Sequence, residues 1–195
     1  MVRKIRLIVI DGLDAVGKDT HAELIKKRYE KLGERVVVRS HPEGDNFLGR
    51  RARVSLLGSG WINRIRVSVF YSLDVLRSLR FYYREGVCDT LIMVRYLMGT
   101  AYLPFGWYRF AYNFFEKLAP TSSYLFFLDA PPEVLLERIK GRDRREMFET
   151  LDSLVSVRRK ALKLAVDWNI VDTSCSVEET FARLESFLDR LDADF

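Results

Sequence analysis

Cysteine and histidine are scarce in this chain, with two residues of each among 195. Cys88 and Cys175 lie far apart and lack metal-type spacing, so the sequence indicates neither a disulfide scaffold nor a zinc site. No apolar run approaches the roughly 18 residues of a membrane span. The chain passes from MVRKIRL straight into its first apolar run, which leaves no room for a signal peptide. We therefore expect a cytoplasmic protein without a membrane segment.

The composition is that of one globular domain spanning 1–195, with 48% hydrophobic and 30% charged residues. The net charge of +5 fits a polyanionic partner, which is either nucleic acid or a small nucleotide. Arginines cluster at 50–53, 64–66 and 138–145 rather than in a terminal tail. Because these clusters lie near candidate phosphate sites, the sequence favours a nucleotide substrate over nucleic acid.

The most informative stretch runs from Ile5 to Thr20, IRLIVIDGLDAVGKDT. Its short, β-branched apolar run predicts a strand buried on both faces, and the residues after Lys18 have helical spacing. Strand, glycine-bounded loop, lysine and helix form the context of a phosphate-binding P-loop. Backbone N–H groups and the helix N-terminus would cradle the phosphates, and the lysine would meet the outer ones. We expect nucleotide binding by Gly12, Leu13, Asp14, Ala15, Val16, Gly17, Lys18, Asp19 and Thr20.

One residue of this motif departs from the usual pattern. The position after the lysine is ordinarily Ser or Thr, whose hydroxyl ligates Mg²⁺, and here it is Asp19. Two interpretations stay open. Thr20 meets the metal after a register shift, or the Asp19 carboxylate meets it directly or through water, as suits a hard cation. Asp19 and Thr20 are therefore the candidate metal ligands, and ATP and Mg²⁺ are the expected cofactors.

Strand-like and helix-like segments alternate along the chain. Such alternation predicts parallel strands joined by right-handed crossovers, with helices on both faces of the sheet. We predict a three-layer α/β P-loop fold with a five-stranded parallel sheet and with its ligands beyond the carboxyl ends of the strands. After the first strand, the predicted strands are 34–39, 90–94, 124–129 and 168–172, and the predicted helices are 20–33, 47–58, 62–84, 108–118, 133–139, 146–166 and 177–191.

Six segments, taken in order, resemble the thymidylate kinase family of P-loop nucleoside monophosphate kinases over nearly the whole chain. Only the P-loop is specific by itself, but the order of all six makes the resemblance strong. The segments are GLDAVGKDTHAELI from position 12, HPE at 41–43, VFYSLD at 69–74, VRY at 94–96 with TAY at 100–102, FLDAPPE at 127–133 through Arg138, and DWNIVD at 167–172.

The resemblance implies an acceptor site beside the P-loop. Asp14 would contact the substrate sugar, Phe70 would stack on the base, and Arg95 would grip the acceptor monophosphate with its bidentate fork. Arginines of a lid at about 138–150 would stabilise the transferring charge. The implied catalytic residues are Lys18, Arg95, Arg138, Arg142, Arg144 and Arg145, and the implied substrate-binding residues are Asp14, Pro42, Glu43, Phe70, Asp74, Arg95, Tyr96 and Tyr102.

Three positions differ from the family pattern. Val94 stands where the family has Asp, Val75 where it has Arg, and Ser40 where it commonly has Arg. We expect ATP-dependent phosphorylation of a nucleoside monophosphate, dTMP to dTDP, by a homodimer. The alternatives are a catalytically weakened nucleotide-binding relative and a kinase for another phosphate acceptor. A further hypothesis joins two departures: Asp19 would hold Mg²⁺ in place of the carboxylate missing at Val94.

Overall fold

Strands and helices alternate along the chain, as the sequence predicts. The structure, a computed structural model, describes residues 5–56, 61–103, 106–120, 122–140 and 150–195. No described helix is both long and apolar enough to cross a bilayer. The elements are β1 Arg6–Gly12, α1 Lys18–Lys31, β2 Val36–Ser40, α2 Phe47–Leu56, α3 Trp61–Tyr82, β3 Thr90–Val94, a 3₁₀ helix Met98–Tyr102, α4 Trp107–Leu118, β4 Tyr124–Asp129, α5 Pro132–Lys140, α6 Leu151–Leu164, β5 Asn169–Asp172 and α7 Val177–Ala193.

The five strands form one parallel sheet in the order β2-β3-β1-β4-β5. All residues of the central strand β1 are buried, which explains its continuous apolar run. The register places Ser40 of β2 opposite Val94 of β3, and Val94 opposite Ile10 of β1. The segments that follow these three residues therefore emerge at one edge of the sheet, where α/β proteins bind ligands.

Several element boundaries differ from the predicted ones for local reasons. Helix α1 begins at Lys18 rather than at residue 20, directly after Gly17 in a left-handed conformation. Strand β2 runs from Val36 through Ser40, one residue beyond the predicted end at residue 39. Helix α6 begins at Leu151, where the Thr150 hydroxyl caps it by accepting from the Ser153 N–H at 3.3 Å, and the predicted helical residues 146–149 lie outside the described residues. The sequence did not predict the 3₁₀ helix.

Candidate active site

The P-loop connects β1 to α1. Ala15 and Gly17 have φ values of 66° and 85°, and left-handed residues of this kind curl the backbone so that successive N–H groups converge on an anion. At Gly12 a Cβ atom would lie 2.2 Å from the Leu128 carbonyl oxygen of β4, so no side chain fits there. The predicted nucleotide-binding residues thus form one continuous loop and the first helical turn.

Lys18 is the buried cation of this loop, with only 3% of its surface exposed. Its Nζ donates to the carbonyl oxygens of Gly12 at 2.9 Å and Leu13 at 2.5 Å, and it lies 3.9 Å from Asp14 Oδ1. These carbonyl bonds use two of the three ammonium donors. Burial, and then the positive charge of Arg95, lower the pKa of Lys18 to about 8. The third donor is available for a phosphate oxygen.

Asp11 joins the P-loop to the segment that follows β3. Its Oδ1 accepts from the Gly12 N–H at 2.9 Å, and its Oδ2 accepts from the N–H groups of Tyr96 at 2.7 Å and Met98 at 2.9 Å. Burial raises the pKa of Asp11, although Lys18 and the three N–H groups oppose this shift. Our sequence analysis missed Asp11. The available signal was a lone carboxylate at the end of a buried strand, where a charge needs partners.

Arg95 lies directly after β3, beside the P-loop strand. Its backbone N–H donates to the Ile10 carbonyl at 3.0 Å, and its φ of 59° is left-handed. Its Nη1 donates to Ser40 Oγ at 3.0 Å and lies 3.3 Å and 3.5 Å from the two carboxylate oxygens of Asp19. The predicted acceptor arginine is therefore fixed between the end of β2 and the start of α1.

Asp19 has a partner set that the sequence did not suggest. Ser40 Oγ donates to Asp19 Oδ1 at 2.5 Å. The Asp19 side chain is 60% exposed to solvent. Partial burial tends to raise the pKa of Asp19, but Arg95, Ser40 and Lys18 together hold it below its ordinary value. The side chain of Val94 is fully buried in the sheet.

The described residues contain no cluster of three His, Cys, Asp or Glu side chains that could hold a metal ion. Asp19 and Thr20, both exposed on the first turn of α1, remain the candidate oxygen ligands. Mg²⁺ commonly takes one or two protein oxygens and completes its shell with substrate phosphates and water. The donor set present at this turn fits that mode of binding.

The loop after β2 begins with a cis peptide bond between His41 and Pro42. His41 is buried, with Nε2 2.8 Å from Ser78 Oγ of α3 and Nδ1 3.3 Å from the Val94 carbonyl oxygen. Burial lowers the pKa of His41 to about 4, so the imidazole is neutral at pH 7. His41 thus joins this loop to α3 and β3.

Asp74 of α3 holds the same loop at its centre. It is 0% exposed, and its carboxylate accepts from the Glu43 N–H and from Asn46 Nδ2, each at 2.7 Å. The Glu43 carboxylate in turn accepts from the Ser40 N–H at 2.9 Å. We expected Asp74 and Glu43 at the substrate. Asp74 offers no surface to a ligand and acts on the site by fixing the loop, whereas Glu43 is half-buried beside Pro42.

Two tyrosines lie close to the P-loop and Arg95. Tyr102 Oη donates to Asp14 Oδ2 at 3.0 Å, which places the predicted sugar contact and a predicted substrate residue together. The Tyr71 hydroxyl is buried without a hydrogen-bond partner among the described residues. Burial, and then the negative charge of Asp11, raise the pKa of Tyr71. The sequence predicted a site role for Phe70 and none for its neighbour Tyr71. Phe70 is half-buried at the margin of the core.

A family model described as thymidylate kinase matches residues 10–184. The chain belongs to the thymidylate kinase family. Among curated relatives, the thymidylate kinase of Akkermansia muciniphila is 29% identical over 196 residues, which cover 95% of this chain and 92% of that protein. A protein of Archaeoglobus fulgidus named "Probable thymidylate kinase" is 30% identical over 197 residues, covering 93% and 96%.

Among solved structures, a thymidylate kinase from Candida albicans matches with a TM-score of 0.72 and 17% identity, covering 96% of this chain and 92% of that one. At this identity the likeness shows the shared fold. The expected family, the P-loop fold and the enzyme class, a nucleoside monophosphate kinase, are confirmed.

Two residues predicted from the family pattern have clear structural contacts. The Arg138 guanidinium donates to the Thr173 carbonyl at 2.7 Å and to the P-loop carbonyl of Ala15 at 3.4 Å, so it bridges the P-loop and the loop after β5. The Tyr96 side chain packs between α3 and α4, where Val75 and Phe115 line the same small cavity. The predicted lid arginines Arg142, Arg144 and Arg145 lie outside the described residues.

Proposed function

We propose that this member of the thymidylate kinase family transfers the γ-phosphoryl group of ATP to dTMP, which yields ADP and dTDP. The main support is the convergence of Lys18 and Arg95 beyond the paired strands β1 and β3. Their charges are close enough for Arg95 to lower the pKa of Lys18. Two cations so placed can neutralise the donor and acceptor phosphates together, which is the main requirement of phosphoryl transfer.

In this reaction an oxygen of the acceptor monophosphate attacks the γ-phosphorus. The bond from that phosphorus to the β,γ-bridging oxygen breaks, and ADP leaves. Because the acceptor oxygen is already anionic, the reaction needs no general base. Lys18 would stabilise charge on the outer phosphates of ATP, and the Arg95 fork would orient the acceptor phosphate.

Mg²⁺ would be held by Thr20 and, through water, by Asp19. The ion supplies positive charge that neutralises the β- and γ-phosphate oxygens. Arg138 would act on the nucleotide side, because its guanidinium already spans the P-loop carbonyl of Ala15 and the Thr173 carbonyl. We propose further charge stabilisation by Arg142, Arg144 and Arg145 as lid residues.

The acceptor pocket would lie between the P-loop, the 41–46 loop and α3. Asp14, oriented by the Tyr102 hydroxyl, would accept a hydrogen bond from the sugar. Phe70 and Pro42 would supply apolar surface for the base. Val75, which is buried, leaves this pocket without the arginine of the family pattern.

A coupled ADP-release assay with ATP, Mg²⁺ and a panel of nucleoside monophosphates tests the proposal. We expect turnover with dTMP and formation of dTDP, identified by chromatography. Lys18→Met should lower kcat by on the order of 10²- to 10³-fold, because it removes a preorganised charge at the transferring group. Asp189→Asn on α7, which breaks an ion pair between the exposed Asp189 and Arg28 of α1, is the matched control and should retain full activity. Turnover with another monophosphate but not with dTMP would refute the proposed acceptor.

We also propose a homodimer, located in the cytoplasm where ATP and nucleotides are present. Helix α3 exposes Ile65, Val69 and Leu73 at four-residue spacing, which forms an apolar stripe on its outer face. Such a stripe gives a second copy an apolar surface to cover. Sedimentation equilibrium of the wild type and of Val69→Glu would test the dimer, since the charge should shift the protein to monomer. If the wild type sediments as a monomer, the proposed dimer is refuted.

A further inference from the structure

Two departures from the usual pattern, Ser40 and Asp19, meet the family-type arginine Arg95 at one point of the proposed acceptor site. Ser40 ends β2, Asp19 lies in the first turn of α1, and Arg95 follows β3. Ser40 Oγ lies between the other two, donating to Asp19 Oδ1 at 2.5 Å and accepting from Arg95 Nη1 at 3.0 Å. Two other elements, β2 and α1, therefore fix the guanidinium group that follows β3.

We propose that Asp19 and Ser40 position Arg95 for the acceptor phosphate, so that Asp19 serves acceptor binding through Arg95 and not chiefly the metal. This inference rests on the proposed function, because it takes Arg95 as the acceptor-phosphate ligand.

The geometry of the guanidinium supports this role. The described hydrogen bonds of Arg95 all use Nη1. The edge formed by Nη2 and Nε carries no hydrogen bond from the described residues, and two adjacent N–H groups of this kind match two phosphate oxygens. A carboxylate and a hydroxyl thus hold one corner of the fork while the remaining donors stay available.

The backbone at Arg95 also needs such support. Its φ of 59° is left-handed, a conformation that costs a non-glycine residue free energy and persists only when its surroundings fix it. Asp19 can help to hold Arg95 in this conformation as a negatively charged partner. Its charge is itself favoured, because a carboxylate in the first turn of a helix is stabilised by the helix dipole. The ion pair with Arg95 and the hydrogen bond from Ser40 keep Asp19 ionised.

The same contacts argue against direct coordination of Mg²⁺ by Asp19. Both carboxylate oxygens lie within 3.5 Å of Arg95 Nη1. An ion bound directly to either oxygen would stand close to the guanidinium charge, and the two cations would repel each other. Water-mediated binding keeps the cations further apart and leaves the ion pair intact.

A double-mutant cycle tests the inference by calorimetric titration of dTMP and, separately, of Mg²⁺·ADP. Asp19→Asn should weaken dTMP binding on the order of tenfold, the usual effect of losing a hydrogen bond to a charged group. Ser40→Ala should act in the same direction, and Mg²⁺·ADP affinity should change by less than about threefold in both. In an Arg95→Ala background, Asp19→Asn should have no further effect on dTMP binding. Asp189→Asn is the control, and circular dichroism confirms that each variant is folded.

Two results would overturn the inference. One is an Asp19→Asn effect on dTMP that persists in full without Arg95. The other is unchanged dTMP affinity together with a higher Mg²⁺ concentration for half-maximal activity, which would assign Asp19 to the metal. If the wild type neither binds nor phosphorylates dTMP, the proposed acceptor is wrong, and the same cycle is run with inorganic phosphate. Coupling between the two residues in phosphate binding then supports the inference, and its absence refutes it.

Discussion

The depressed pKa of Lys18 should make nucleotide binding pH-dependent in an alkaline range. Lys18 is 3% exposed, and burial together with the charge of Arg95 brings its pKa to about 8. Lys18 is therefore mostly charged at pH 7 and mostly neutral at pH 9. Only the charged form attracts phosphate, and a bound phosphate raises the pKa again because an opposite charge favours the charged form. Nucleotide affinity should therefore fall as the pH rises through 8.

The magnitude follows from this pKa. With a value near 8, roughly nine in ten Lys18 side chains carry a proton at pH 7 and roughly one in eleven at pH 9. ADP should then bind about tenfold more weakly at pH 9 than at pH 7, and binding at pH 9 should take up close to one proton. The last ionisation of the phosphate, near pH 6, is about nine-tenths complete at pH 7 and so changes ADP affinity little between pH 7 and 9.

Calorimetric titration of ADP at pH 7, 8 and 9 in two buffers of different ionisation enthalpy measures both quantities. Lys18→Arg is the matched variant, because a guanidinium stays charged throughout. Its ADP affinity, whatever its absolute value, should be flat between pH 7 and 9. Equal ADP affinity of the wild type at pH 7 and 9, without proton uptake, would refute the argument that burial has depressed the Lys18 pKa.

Two further predictions concern the acceptor side of the site. The pKa of His41 is lowered to about 4 in the folded protein. As the pH falls, His41 is therefore protonated in the unfolded chain before it is protonated in the folded one. Its contribution to stability is present above the unfolded pKa of about 6.5 and is lost as the pH falls towards 4. About 2 kcal/mol of it should be lost between pH 7 and 5, which urea unfolding at those two pH values would detect. His41→Gln should flatten this pH dependence, and an equally steep dependence in the variant would contradict the assignment. Tyr102→Phe removes the hydrogen bond to Asp14 and should raise the KM for dTMP about five- to tenfold, with the KM for ATP unchanged. Equal changes in both KM values would indicate a general structural defect instead.

The sequence predicted the sheet well because its strands carry their signal locally. The residues of β1 and β3 are all buried, so both strands appear as uninterrupted apolar runs. The 3₁₀ helix at Met98–Tyr102 has no such pattern. Its first N–H group is held by Asp11, a residue 87 positions earlier in the chain. A local pattern cannot reveal an element whose start is fixed by a distant carboxylate.

The same contrast applies to the candidate site. The P-loop is contiguous, and glycine spacing with one lysine was enough to locate it. Asp19 and its partner Arg95 are 76 residues apart in the sequence. Glu43, whose N–H donates to Asp74, is 31 residues from it. A single sequence shows such residues as separate charges, each with an ordinary surface explanation. Only the register of β1, β2 and β3 brings them to one edge of the sheet.

The two faces of helix α3 make different contacts. Its inner face carries Asp74 and Ser78, which hold the loop at 41–46 in place, and its outer face carries the exposed stripe that includes Val69 and Leu73. A rigid helix cannot shift on one face without shifting on the other. Any molecule that covers the stripe and restricts α3 will therefore also restrict the acceptor loop. In a dimer built on this stripe, apparent affinity for the acceptor would depend on protein concentration, and dilution would loosen the pocket before it unfolded the chain.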